Sequence, residues 1–459
     1  MRIEELHSVY FIGIGGIGMS ALAQYFHARG IAVYGYDRVR NANVERIEAL
    51  GIPVVYSDSA DSIQCDFLDV ELSRALVIYT PAVPSTNEIL GFFKLRGYLI
   101  QKRSEALEKV TEGTKTIAVA GTHGKTTTSA MIAHLLNFCE VNCNAFLGGV
   151  ATNFESNFLL KDDADYTVVE ADEFDRSFLR LKPHIGIVTS VDADHLDIYE
   201  GEDAVHDAFR QFADRINPEG LALIRCGIEF NLKGRQQVYG LDRTDFDITA
   251  TNIRAVDGNY AFQVWENGVS LGEIETSFPG HHNVENALAA IGVARFLEIG
   301  WDKIKAGIAQ FKGVKRRFET HIKRENRVYI DDYAHHPREI DACVGSVKEL
   351  YPDKRITGVF QPHLYSRTRD FADDFATSLE ALNELLLMEI YPAREEPIDG
   401  VDSSMLFNKI RMVNKKLCER EDVIDEVLRL NPEVLLTMGA GDIDKMVAPL
   451  KDAINKKDE

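Results

Sequence analysis

Thr116-Ile117-Ala118-Val119-Ala120-Gly121-Thr122-His123-Gly124-Lys125-Thr126-Thr127 runs from an apolar strand pattern straight into a glycine-lysine-threonine turn. Beyond it Met131, Leu135 and Phe138 recur at helical spacing, so the stretch reads as strand, loop and helix in an α/β fold. A loop of this kind grips phosphate: glycines let the backbone approach an anion, and the helix start offers unpaired N–H groups and a positive dipole end. Gly124-Lys125-Thr126 supplies a lysine for β/γ-phosphates and a hydroxyl for Mg2+. Val119 stands where the usual G-x-x-x-x-G-K-[ST] has its first glycine, so the loop is a variant P-loop.

Upstream, Val9-Tyr10-Phe11-Ile12 leads into a second glycine loop, with Gly13, Gly15 and Gly18 in G-x-G-x-x-G spacing and Gly16 between them. Asp37, at the end of the next strand pattern, stands where a ribose-binding carboxylate of a nicotinamide enzyme would sit. On these residues alone a dinucleotide site leads. The spacing equally suits any diphosphate at a helix N-terminus, and two such loops imply two phosphorylated substrates.

Short β-branched runs alternate with helical stretches through the first hundred residues, at Val9–Ile12, Ala32–Tyr36, Pro53–Tyr56, Ala75–Tyr79 and Tyr98–Gln101. That rhythm predicts a parallel sheet covered by helices. A second α/β block follows, with strand patterns at Tyr166–Val169, Ile185–Val191 and Leu221–Arg225. Between Asp245 and Ser277 the period changes to two around a Glu266-Asn267-Gly268 turn, which predicts an inserted hairpin. From Val328 the βα rhythm returns. The expectation is three α/β domains: a Rossmann-like domain over 1–112, a central P-loop ATPase-type domain with a small β insertion over 113–318, and a Rossmann-like domain over 319–459.

Polar clusters fall at predicted strand ends, where doubly wound sheets bind ligands. Glu170 in E-A-D-E-F-D is the best candidate metal ligand, and His195 in D-A-D-H-L-D is a second ligand or a water-orienting group. Asp331-Asp332-Tyr333-Ala334-His335-His336 and Gln361-Pro362-His363-Leu364-Tyr365-Ser366-Arg367 gather three histidines and an arginine at two more ends. Arg316 and Arg317 precede the last domain, where a cation can reach a phosphate as domains close.

The chain carries 51 Lys and Arg against 72 Asp and Glu, a formal charge of -21, which repels polyanions and argues against a nucleic-acid partner. No apolar run is long enough to span a bilayer and the first residues lack a signal-peptide pattern, so a cytoplasmic protein without a membrane partner is expected. Six cysteines, Cys139 and Cys143 among them, are too sparse for a disulfide framework.

Together the blocks resemble the Mur ligases of peptidoglycan synthesis along essentially the whole chain: G-I-G-G-I-G-M-S, G-T-H-G-K-T-T-T, E-A-D-E-F-D-R-S-F-L, D-A-D-H-L-D-I-Y, H-N-V-E-N-A-L-A-A, K-R-R-F-E, D-D-Y-A-H-H-P and Q-P-H-L-Y-S-R-T. The resemblance implies that the first loop, with Gly13, Gly15, Gly16 and Gly18, holds the pyrophosphate of a UDP-sugar, and that the second, Gly121 to Thr127, holds ATP. It implies that Thr126, Glu170 and His195 serve Mg2+ and that Asn283 and Asn286 lie near adenine. Arg317 and Asp332 would complete the nucleotide site, and Tyr333, His335, His363 and Arg367 would face the amino acid and the reacting carboxylate. Lys125, His195, His335 and Arg367 are the catalytic candidates. His281 stands where relatives often have Arg, and Ala334 where Gly is common. The segment from Gly201 to Ile216 contains no lysine, so the carbamylated lysine of ligases that add later residues is not expected, which suits the alanine-adding branch.

The implied activity is ATP-dependent joining of L-alanine to the lactyl carboxylate of UDP-N-acetylmuramate through an acyl phosphate, by a monomer or weak homodimer. Domain closure would keep water from that intermediate. Within the family the nearest alternative is the recycling ligase that attaches a whole peptide to the same sugar. Outside it stand an NAD-dependent oxidoreductase, which leaves the second loop idle, and a regulatory P-loop ATPase, which leaves the third-domain histidines unexplained.

Overall fold

A computed structural model describes residues 3–192, 199, 201–256, 258–393 and 395–458. The chain forms three sheets, one for each α/β domain. In the first, β1 (Ser8–Ile12), β2 (Ala32–Tyr36), β3 (Val54–Val55), β4 (Ala75–Tyr79) and β5 (Leu99–Lys102) lie in the order β3-β2-β1-β4-β5, all parallel. The order reverses at β1, so its carboxyl end opens at the switch point where such sheets bind ligands. Every residue of β1 is buried, as expected of a central strand covered on both faces.

The second sheet has ten strands: β6 (Lys115–Ala120), β7 (Cys143–Ala151), β8 (Ser156–Leu159), β9 (Tyr166–Glu170), β10 (Ile185–Val188), β11 (Leu221–Arg225), β12 (Gln236–Leu241), β13 (Ile248–Val256), β14 (Asn259–Glu266) and β15 (Val269–Thr276). Their order is β15-β14-β13-β12-β11-β10-β6-β9-β7-β8. Parallel neighbours β10 and β9 flank β6, and both contribute site residues just past their ends. The predicted hairpin is present: Asn267 and Gly268, with φ of 49° and 76°, form the two-residue turn between β14 and β15. It belongs to the central domain's own sheet, which β13 to β15 continue to its edge.

The third sheet comprises β16 (Glu319–Arg324), β17 (Arg327–Asp332), β18 (Ile356–Phe360), β19 (Glu384–Leu387), β20 (Lys415–Leu417) and β21 (Val434–Met438), in the order β16-β17-β21-β18-β19-β20. Only β16 is antiparallel to its neighbour, and β17, β21, β18 and β19 are buried along almost their whole length. By packing, the chain divides into two compact units, residues 1–251, 263–272 and 285–311, and residues 252–262, 273–284 and 312–459. No helix among the described residues is long and apolar enough to cross a membrane. All six cysteines are free, as their sparse spacing predicted.

Candidate active site

In the first unit, two strand-loop-helix turns present the anion-binding ends of helices. The loop after β1 folds back on its own protein. Gly13 N and Ile14 N donate to Tyr36 O, Gly16 N donates to Gly13 O, and Gly15 N donates to Asp37 Oδ2 at 2.7 Å. The donors left for a ligand are the first-turn amides of Ile17, Gly18 and Met19 in helix Ile17–Ala28, which have no acceptor within the helix. Asn41 and Asn43 close on the same turn by donating to Gly15 O at 3.4 Å and 3.0 Å. A Cβ on Gly15 would lie 2.5 Å from Val44 Cγ2 and 2.9 Å from Asp37 Oδ2, so this position is glycine by packing. Asp37 also accepts from Val39 N at 3.0 Å. Its carboxylate ties the turn together, which removes the group that the dinucleotide reading needed for a ribose. Beside Gly18 lies Arg103, which belongs to no motif in the sequence and whose Nη2 pairs with Asp172 Oδ2 at 2.9 Å.

The loop after β6 is held by the end of β10. Thr122 N donates to Ser190 O, His123 N donates to Ser190 Oγ at 2.8 Å, and Thr189 Oγ1 donates to His123 O. The predicted strand Ile185–Val191 stops at Val188 because Thr189 and Ser190 turn to this task. Helix Lys125–Phe138 then begins at Gly124, with the amides of Lys125, Thr126 and Thr127 in its first turn. Lys125 Nζ donates to Gly121 O at 2.5 Å and Thr122 O at 3.2 Å and pairs with Glu173 at 2.8 Å. Burial opposes the lysine charge, but Glu173 and Glu170 outweigh it and hold its pKa above the ordinary value. Burial pushes the Glu173 carboxyl up to about 7 even with the ammonium beside it pulling the other way.

Glu170, at the end of β9, accepts from Gly148 N at 3.1 Å. A Cβ on Gly148 would fall 2.1 Å from its Oε2, so the carboxylate has its place only because residue 148 has no side chain. Thr126 and Glu170 are hard oxygen donors of the kind Mg2+ takes, and Glu170 is near enough to Lys125 to raise its pKa. The residues present therefore fit the ion. His195 lies outside the described residues. Asn286 is buried against Gly124 and accepts from Thr128 Oγ1 at 2.9 Å, so it supports the loop and the helix behind it.

In the second unit, the carboxyl ends of β17 and β18 bring the third-domain candidates together. Asp332 accepts from Phe318 N and from Ala334 N, both at 2.7 Å, and burial pushes its carboxyl up to about 6. Ala334 therefore serves the turn through its backbone, with no positive φ to demand the glycine common in relatives. Arg316 and Arg317 lie over the Tyr333 ring at 5.3 Å and 5.0 Å. The Tyr333 and His335 rings are 5.2 Å apart, those of His335 and His363 6.0 Å. His335 Nδ1 is 3.1 Å from Glu339 Oε2 and 3.0 Å from Tyr333 O. Arg367 stands on helix Tyr365–Asp370, whose N-cap is Leu364, at φ 71° and without a capping side chain. Glu395 supplies the cap from a distance, accepting from Ser366 N at 2.9 Å, and Tyr391 stacks on His363 with ring centroids 5.9 Å apart. Neither Tyr391 nor Glu395 stands out in the sequence, since each acts across a sequence gap of about thirty residues. Asn283 is buried and donates to Pro279 O at 2.6 Å.

Three mainly parallel sheets, two of them opening onto glycine loops, define a multidomain α/β protein, and the chain belongs to the Mur ligase family. The family's catalytic domain matches residues 8–115, its middle domain residues 119–294 and its glutamate ligase domain residues 316–441. The chain is similar to the UDP-N-acetylmuramate–L-alanine ligases of Parabacteroides distasonis, 45% identical across 100% of this chain and 99% of the relative, and of Phocaeicola vulgatus, 44% identical across the whole of both. Among solved structures it resembles the UDP-N-acetylmuramate-alanine ligase MurC of Thermotoga maritima, with a TM-score of 0.85 and 27% identity over 98% of this chain and 99% of the other. A murein peptide ligase of Psychrobacter arcticus shares the fold, with a TM-score of 0.70 at 22% identity over 98% of each chain.

Proposed function

We propose that this chain joins L-alanine to the lactyl carboxylate of UDP-N-acetylmuramate, converting ATP to ADP and phosphate, in peptidoglycan precursor synthesis. The observation that carries the reading is end-to-end similarity at 45% identity to relatives named for that reaction. The architecture supports it. A phosphate loop with a largely buried lysine lies beside carboxylates in one unit, and a cluster of histidines and arginines lies in the other. The domains 1–112, 113–318 and 319–459 take the UDP-sugar, ATP and the amino acid in turn. The reaction belongs in the cytoplasm and needs neither nucleic acid nor membrane, and the chain acts as a monomer or weak homodimer.

The parts suit the chemistry. A carboxylate is a poor acyl donor, because its leaving group would be oxide. Its oxygen attacks the γ-phosphorus of ATP, ADP departs, and the resulting acyl phosphate has phosphate as its leaving group. Lys125 and the first-turn amides of its helix spread the charge of the transferring group. Thr126 and Glu170 would hold Mg2+, which neutralises phosphate charge when bound. Arg367 suits the carboxylate of alanine. His335, oriented by Glu339, takes a proton from the amine so that nitrogen can attack the carbonyl, and the tetrahedral intermediate collapses with loss of phosphate.

Phosphate release with ATP and UDP-N-acetylmuramate, with and without L-alanine, tests the reading. Release that requires both the sugar nucleotide and L-alanine is expected. Release driven by a tripeptide and not by L-alanine would move the chain to the recycling branch, and NADH binding without ligation would return it to the oxidoreductases.

A further inference from the structure

An ammonium has three N–H donors, and Lys125 directs its own to Gly121 O, Thr122 O and the Glu173 carboxylate. Glu173 is 1% exposed, and its own carbonyl accepts from the fully buried Tyr199 hydroxyl at 2.7 Å, which pins the residue from the far side. The neighbouring Glu170 also favours the lysine's charge, while its Oε2 accepts from Gly148 N. An anion is therefore already seated on the lysine that a nucleotide's terminal phosphates would seek.

We propose that Glu173 is the resident counter-anion of the loop lysine, and that it sets nucleotide affinity because terminal phosphates must displace it from Lys125. This rests on the reading of the second loop as the ATP site. The physical reason for such a residue is the empty state. An ammonium with a side-chain exposure of 13% is costly without a partner, and the carboxylate keeps the loop formed until phosphate arrives. The exchange has a chemical signature. ADP and ATP reach Lys125 and have to break the pair, whereas AMP ends short of it and does not.

Calorimetric titration of the wild type, Glu173→Gln and Glu173→Asp with AMP-PCP, ADP and AMP in Mg2+ buffer tests this. Glutamine removes the charge and keeps the shape. Aspartate keeps the charge on a stem one methylene too short, and covers the case in which the first variant does not fold. Each is expected to bind AMP-PCP and ADP about tenfold more tightly, the scale of one charged hydrogen bond, with AMP changed less than twofold. Unchanged or weaker AMP-PCP binding in a folded variant overturns the proposal, and so does an equal gain for AMP. The ATP reading fails separately, if the wild type binds no AMP-PCP or if Lys125→Ala binds it as well as the wild type.

Discussion

The two glycine loops are built on one plan and loaded differently. Each follows an interior strand of its sheet, spends its early backbone on internal ties, and leaves three first-turn amides without an acceptor in the helix: Ile17, Gly18 and Met19 in one, Lys125, Thr126 and Thr127 in the other. The first loop is braced by Asp37, Asn41 and Asn43, and the cation beside it, Arg103 next to Gly18, comes from another helix and is paired with Asp172. The second carries a buried lysine with Glu173 on it and Glu170 beside it. Backbone amides and a helix dipole suffice to hold a diphosphate that does not react. Moving a phosphoryl group calls for concentrated charge that can be redistributed as the bond transfers. On the proposed function, the difference between the loops is one between holding and reacting.

The severest way to break that contrast is Lys125→Ala. Ligation, followed as phosphate release, should fall by about 10³-fold or more, while affinity for UDP-N-acetylmuramate stays within about twofold. A parallel loss of sugar-nucleotide affinity would show that the two loops are not separate sites. Next comes Gly148→Ala, which drives a methyl into the Glu170 carboxylate. Turnover should drop about 10–100-fold with sugar-nucleotide binding preserved, and normal turnover would detach Glu170 from the chemistry.

The first loop allows a finer test, because its glycines differ in the space around them. A Cβ on Gly15 meets Val44 at 2.5 Å, whereas one on Gly16 meets nothing nearer than 3.5 Å. Gly15→Ala should therefore lower the melting temperature by several degrees, on the scale of an overpacked core at about 1–3 kcal/mol. Gly16→Ala should melt like the wild type, so any loss of UDP-N-acetylmuramate affinity there, expected at about tenfold, reports the ligand's own approach to the backbone. Full affinity in Gly16→Ala would place the diphosphate elsewhere.

The smallest expected effect lies in the third domain. Asp332 has a folded pKa of about 6, above the ordinary carboxylate value. Below about pH 4 both folded and unfolded forms hold the proton. Between about pH 4 and 6 the unfolded chain releases it first, so this group's contribution to stability is lost as pH rises through that window. Asp332→Asn should flatten the change in unfolding free energy, read from urea titrations, between pH 4 and 6 by about 1–3 kcal/mol. An unchanged slope would show that Asp332 titrates as in the unfolded chain.

Much of the architecture was legible because strand-loop-helix units write themselves locally: β1, β2, β4, β6 and β21 fall on apolar runs that end in glycine or polar clusters. β7 and β8 were not legible. Cys143–Ala151 mixes small residues with glycines and shows no period of two, and it is a strand because β9 and β8 pair with it. The predicted β hairpin was legible through its Asn-Gly turn, and the sheet edge that it extends was not, since a hairpin's sequence sets its turn but not which edge it joins.

The family, the two glycine loops and the clusters at the strand ends are written in residue types at short spacing, and so could be read before any fold was known. What each charged or polar group pairs with depended on the folded chain. Glu170 and Glu173 lie in one acidic run, yet one is turned to Gly148 and the other to Lys125. Asp37 closes a turn where its position suggested a ribose ligand, and Glu395 caps a helix that begins about thirty residues earlier. These assignments rest on burial and on hydrogen-bond directions between segments distant in the chain, and a carboxylate's pairing is set by whichever donors the folded backbone brings within 3 Å or so of it.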